Sequence, residues 1–300
     1  MRITNNITTQ NALRTLQRGQ RQIALASERV TTGLRFQRAS EDPIAAAQVM
    51  RTSGSLRALE QYRRNVASAQ SRTAAEEGVL DQLSTVLTRA NELAVSQATG
   101  TASAETRAVV KAEVDQLLRF AVSLGNTRHG DAYLFGGAQA AMAPFTLDES
   151  DPDSLDFTAT GATGEHTVEI SAGQLLSTNH DGGQVFGDAA SGPLAALREL
   201  SRALGANDQD AIGAAADRLK GTLDDTQVLI GDIGARTNQL EITASNLDAL
   251  KVTLTTYKSD LQEVDFEQAV TELVGRQTAF QAAMMATSRV IGMNLTDYLR

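Results

Sequence analysis

The sequence has no cysteine and no tryptophan, only 4% aromatic residues and four prolines in 300 residues. Without cysteine there is no disulfide, no thiolate metal site and no cysteine nucleophile. With so few aromatics a core must be built from small and aliphatic side chains, a mix that favours long helices. No apolar run approaches the roughly eighteen residues of a membrane span. The opening MRITNNITTQ lacks the apolar centre of a secretory signal, so no cleaved signal of that kind is expected. Basic charge is missing from one stretch. Between Gln139 and Pro193 stand nine acids and no Lys or Arg, which equals the whole net charge of −9.

Catalytic chemistry is as sparse. The three histidines, His129, His166 and His180, lie in glycine-rich or polar stretches and read as solvated loop or strand residues. A nucleophile would need a base beside it, and no such constellation stands out. Asp148 to Asp153 is acidic, but lacks the sixth-position glycine and twelfth-position Glu of an EF-hand loop. Gly231 to Gly234 matches no phosphate loop. No enzyme activity, cofactor or metal is expected. Residues 1–38 carry seven Arg and one Glu, which suggests a nucleic-acid arm or an organelle transit peptide. Interleaved stacking aromatics are missing apart from Phe36, and the C-terminal segment has the opposite charge, so pairing of the two ends is preferred over either. Neither nucleic acid nor membrane is expected as a partner.

What is present is helical periodicity. Leu16, Ile23 and Val30 are seven apart, with the small residues Ala12, Gly19 and Ala26 four before each. This is an a/d stripe that lets a partner helix come close. In VTTGLRFQRASEDP, Gly33 can end that helix in the left-handed conformation, Ser40 or Asp42 can cap the next, and Pro43 suits its first turn. From there to about Gln97, Leu59, Val66, Thr73, Leu80, Leu87 and Ala94 form one seven-residue row, and Tyr62, Ala69, Glu76, Leu83 and Ala90 a second. A helix of that length, roughly 75–80 Å, implies a rod. A turn at 99–102 precedes another helix that stops near Gly125 and Asn126.

From Gly136 to Pro193 the texture changes: this stretch holds nine of the 23 glycines, three of the four prolines and short alternating runs such as 166–170. Helix resumes at Leu194 and a very long one begins near Asp208 or Gln209. In the last segment Asp265 and Gln268 are spaced as a capping box. Phe266, Val270, Leu273, Gln277, Phe280, Met284, Thr287 and Ile291 then follow 4 and 3 steps. The expected fold is mainly α, a long antiparallel helical bundle or coiled-coil rod made from both chain ends, with a small β-rich inserted domain. The expected divisions are 1–35 with 260–300 as terminal arms, 36–137 with 194–259 as rod, and 138–193 as acidic insert. Neither arm can bury both faces alone, so the arms are expected to order on assembly.

Four stretches together resemble the bacterial flagellin family. TTGLRFQRASEDP is similar to its helix-break motif, with Glu41 where Asp is usual and Leu34 where Lys is common. Arg89, Glu92, Leu93, Ala94, Gln97, Gly100 and Thr101 stand as in R-x-x-E-L-A-x-Q-A-x-N-G-T, with Thr99 for Asn. Tyr133 to Gly137 is closer to the family's hook–filament junction members than to its filament subunits, and so is the stretch from Ala279 to Leu299, with Asn294 in place of Ser. The resemblance covers about 1–137 and 194–300 and is weak over the insert. It implies a secreted structural protein of the flagellum, a junction ring presenting a flagellin-like lattice, exported by the flagellar type III apparatus. The implied partners are copies of itself, the preceding hook-associated protein, flagellin and an export chaperone. It implies subunit contacts at Leu16, Ile23, Val30, Phe266, Leu273, Phe280, Met284 and Ile291 in the arms, and at Arg89, Glu92, Leu93 and Gln97 on the rod. It places the hinge at Gly33, Asp42 and Pro43. For Arg89 and Glu92, three apart, a salt bridge within one helix is the alternative. Two other functions stay open: the bulk filament subunit, and a coiled-coil signalling or adhesion protein whose insert binds a ligand.

Overall fold

The computed structural model describes residues 2–99, 102–148, 156–160 and 164–298. Its elements in chain order are α1 (Arg2–Thr32), α2 (Pro43–Gln97), α3 (Ala104–Gly125), β1 (Arg128–His129), β2 (Ala132–Tyr133), β3 (Phe145–Asp148), β4 (Asp156–Ala159), β5 (Thr167–Ser171), β6 (Gln174–Ser177), α4 (Gly182–Phe186), α5 (Pro193–Gly205), α6 (Gln209–Gln262) and α7 (Phe266–Tyr298). The chain forms two compact units, Met1–Ala58 with Leu250–Arg300, and Leu59–Ala249. The division passes through α2 and α6, so both long helices contribute to each unit. Among the described residues no helix is long and apolar enough to cross a membrane.

In the larger unit the heptad rows of α2 face inward. Leu59, Val66, Thr73, Leu80, Leu87 and Ala94 are all buried, as are Ala69, Glu76, Leu83 and Ala90 of the second row. Thr73 is reconciled with burial by bonding back to the Ala69 carbonyl at 2.9 Å. Val114, Leu118 and Ala121 of α3, Leu194, Leu197 and Leu200 of α5, and Ile212, Leu219 and Ile233 of α6 complete the core. Helix α3 is capped by Ser103, whose side chain accepts from the Thr106 amide.

Among the described residues, the segment between α3 and α5 holds three separate antiparallel hairpins, β1–β2, β3–β4 and β5–β6. The first lies at 128–133, earlier than the glycine content of the sequence suggested, and the short helix α4 lacks the length to show a helical period. Phe145 of β3 and Phe135 pack their rings on Phe186 of α4 at 5.3 and 5.1 Å, so this segment shares the helical core. Asn126, just past α3, docks β3 through both ends of its amide: Nδ2 donates to the Phe145 carbonyl at 2.7 Å and Oδ1 accepts the Phe145 amide at 3.1 Å. On the other side Arg198 of α5 donates to Asp156 at 2.6 Å and lies 5.4 Å over the Phe157 ring. That hydrogen bond, more than the charge behind it, holds the Asp156 carboxyl below its ordinary value. The acidic run after Asp148 lies outside the described residues.

Candidate functional site

In the smaller unit α1 packs along α7. The inward positions of α1 are Ala12, Leu16, Gly19, Ile23, Ala26 and Val30, the small-and-large stripe of the sequence; Ala26 is buried and the others half-buried. Gly19 is where the helices come closest. A Cβ placed there would stand 2.8 Å from Cδ2 of Phe280 on α7, so the ring occupies the space a side chain would need. Arg29 lies 3.8 Å from Glu272 across the pair, an exposed ion pair worth on the order of 0–1 kcal/mol.

The inward stripe of α7 differs in part from the one its sequence suggests. Among the described side chains Ala269, Val270, Glu272, Leu273, Arg276, Phe280, Ala283 and Thr287 are its less exposed positions. Val270, Leu273, Phe280 and Thr287 are shared with the expected heptad, but Arg276 and Ala283 are less exposed than Gln277 and Met284, which were expected there. At 283 and 284 the alanine, not the methionine, takes the less exposed place, and Arg276 bonds Glu272 on its own helix. Phe266 and Met284 are therefore not seam residues within one chain. They are 61% and 50% exposed, in company with Leu13, Leu25, Val274 and Met285. The Ile291 side chain lies outside the described residues.

The helix break expected to be a hinge is paired with a second break. Gly33 has φ +70° and its amide still bonds the Arg29 carbonyl at 2.9 Å, closing α1. Asp42, rather than Ser40, caps α2: its Oδ1 accepts the Ala45 amide at 3.0 Å while Oδ2 pairs with Arg35 at 3.0 Å, and Pro43 is the first helical residue. Phe36 folds back onto Ala45 and Ala46, with Arg35 above its ring. The break between α6 and α7 lies against this one. The Arg35 amide donates to the Gln262 carbonyl at 2.7 Å, the Val264 amide donates to the Gly33 carbonyl at 2.9 Å, and Leu34 and Glu263 form an antiparallel bridge. Asp265 then caps α7 by accepting the Gln268 amide at 3.2 Å. The sequence marked this second break only through its capping box; its pairing with Gly33 has no local signal.

The four rod candidates separate. Arg89 is exposed and donates to Glu113 of α3, Nε at 2.9 Å and Nη2 at 2.8 Å, with Glu92 3.5 Å away. The Glu113 hydrogen bond and charge raise the Arg89 guanidinium above its ordinary value. Glu92 is exposed. Leu93 and Gln97 are not: at 8% and 7% exposure the chain's own core covers them, because they continue the inward face of α2. The Gln97 carbonyl accepts from the buried Arg107 of α3 at 3.1 Å; Arg107 also donates to the Asn207 side chain at 2.6 Å.

His180 corrects the reading of the histidines as solvated. It is buried, with Glu76 and Asp232 on its two ring nitrogens. His166 is exposed, and His129 Nε2 lies 3.1 Å from Ser71 Oγ. Glu76 and Asp232 stand 104 and 52 residues from His180, a separation no local pattern spans.

Two flagellin regions match this chain, the bacterial flagellin N-terminal helical region over residues 3–140 and the C-terminal helical region over 211–299. Flagellar hook-associated protein 3 of Escherichia coli (strain K12) is 25% identical over 319 residues, covering 98% of each chain. A flagellin of Bacillus subtilis (strain 168) is 27% identical over 323 residues and covers 100% of both. The solved flagellar junction protein FlgL of Legionella pneumophila superposes with a TM-score of 0.54 at 17% identity, covering 72% of this chain and 100% of its own. At that identity the likeness is one of fold.

Proposed function

The chain belongs to the bacterial flagellin family, and from that premise we propose that it is a structural subunit of the flagellum, forming the short junction between hook and filament. The observation that carries this reading is the arm pair. Its two helices hold each other through one narrow stripe, and leave Leu13, Leu25, Phe266, Val274, Met284 and Met285 uncovered outside that stripe. Large apolar side chains left on both sides of a helix pair are what further copies would cover.

Each residue then takes a part. Leu16, Ile23, Val30, Leu273 and Phe280 hold one arm to the other. Phe266 and Met284, with Ile291 further along, meet neighbouring copies. Arg89 and Glu92 face a neighbouring rod, while Leu93 and Gln97 shape that face from inside. Gly33, Asp42 and Pro43, backed by Gln262–Val264, form the hinge. The arms are 1–35 with 260–300, the rod 36–137 with 194–259, and 138–193 is an insert. The partners are copies of itself, the preceding hook-associated protein on one side and flagellin on the other, with an export chaperone before assembly. The subunit works outside the cell, at the hook–filament junction, and its role is mechanical rather than catalytic.

A second reading, the bulk filament subunit, is favoured by the end-to-end match to the Bacillus subtilis flagellin. A strain deleted for this gene separates the two. Intact hooks, no attached filaments and flagellin shed into the medium are expected of the junction subunit. Filaments still attached would overturn the proposal, and loss of exported flagellin would replace it with the second reading.

A further inference from the structure

One short segment at the end of β6 is fastened to the helices by charged groups from both sides. His180 is 4% exposed. Its Nδ1 lies 2.7 Å from Glu76 Oε1, and the same oxygen accepts the His180 amide at 2.9 Å. Its Nε2 lies 2.9 Å from Asp232 Oδ2. Arg236, one turn along α6, donates Nε to that Asp232 oxygen at 2.7 Å, and Nη1 to the carbonyls of Ser177 at 3.1 Å and Asn179 at 3.2 Å. Arg72, one turn before Glu76 on α2, donates to the Leu134 carbonyl; burial holds it below its ordinary value, against the pull of Glu76. On the segment itself, Asp181 is engaged by the Gly183 and Gly164 amides.

An ionised carboxylate only accepts hydrogen bonds, and contacts of 2.7 and 2.9 Å are hydrogen-bond distances. A bare ring nitrogen turned toward either oxygen would set lone pair against lone pair. Against two ionised carboxylates each nitrogen therefore brings a proton, and a ring protonated on both is the cation. We propose that His180 is held as an imidazolium between Glu76 and Asp232, and that it makes the attachment of Ser177–His180 to α2 and α6 a proton-dependent latch. The groups facing it are Glu76 and Arg72 from α2 and Asp232 and Arg236 from α6. The charges of these four cancel, so the balance between the latched and released states turns on the ring.

The direction follows from proton counting. The latched state binds one more proton than the released one, so the latch weakens as pH rises and the ring loses its charge.

The test uses the full chain labelled with ¹⁵N. Long-range proton–nitrogen spectra report both nitrogens of each of the three imidazoles, and His180 is assigned by the signals missing in His180→Gln. While the Thr178 and His180 amides stay protected, both His180 nitrogens are expected in the protonated state. The protection factors of the Thr178 and His180 amides are expected to fall by up to about tenfold per pH unit as the ring deprotonates. In His180→Gln they should change by less than about twofold over the same range. A His180 ring with one bare nitrogen while those amides stay protected overturns the latch, as does protection that ignores the state of the ring. If His180→Gln does not fold, Asp232→Asn serves: the ring should then deprotonate at lower pH, and an unchanged titration overturns the proposal.

Discussion

Gly19 shows how far a single residue can be read. Its place in a stripe of small residues marked it as a close approach, and the structure places the Phe280 ring in the space its side chain would fill. Two effects compete on substitution. An alanine gains up to about 1 kcal/mol of helix propensity over glycine. A larger side chain must displace the ring, and overpacking costs about 1–3 kcal/mol. Gly19→Ala should thus be near neutral, because the half-buried ring can swing aside, while Gly19→Val should loosen the arms. Protease cleavage rates within α1, compared with those in α2, read the difference; cleavage of Gly19→Val at the native rate would contradict the close contact. His180 marks the opposite limit. Nothing beside it in the chain signals burial, because the two carboxylates that enclose it arrive on helices distant in sequence.

At the scale of elements, periodicity and punctuation carried most of the information. The rows of α2 that recur every seven residues are the rows that face the core, and α2 begins and ends where Asp42, Pro43 and Gln97 indicated. Helix α7 was legible as a helix but only partly in register. Both 270/277/284 and 269/276/283 satisfy a heptad, and only contact with α1 decides that Gln277 and Met284 stay exposed. The hairpins were legible as strand texture without pairing, since strands of two to five residues carry too few alternations to fix partners. The hinge is where local signals and tertiary contact meet. Gly33 holds φ +70°, so Gly33→Ala should cost about 1–2 kcal/mol. Asp42→Ala loses a helix cap and should cost about 1 kcal/mol. Because Gly33 and Val264 are joined, the Val264 amide should lose hydrogen-exchange protection in Gly33→Ala as well. A Val264 amide as protected as in the native chain would mean that the two breaks act separately.

At the scale of the whole molecule, the absences set the frame. A chain without cysteine or tryptophan, with few aromatics and with heptads at both ends, is suited to long helices that find their remaining partners in other copies. The functional surface was harder to see than the fold, since a periodic apolar pattern cannot say which positions the chain covers itself. Leu93 and Gln97 turned out to be covered, whereas Phe266 and Met284 are open. The central claim is that α1 and α7 are short of partners in a lone molecule while the larger unit is complete. Amide exchange on the dilute, unassembled full chain tests it most directly. The amides of α1 and α7 are expected to exchange at least about a hundredfold faster than those of the buried stretch 80–94 of α2, and to slow when the protein assembles. Equal protection of the arms and of that stretch in the lone chain would contradict it.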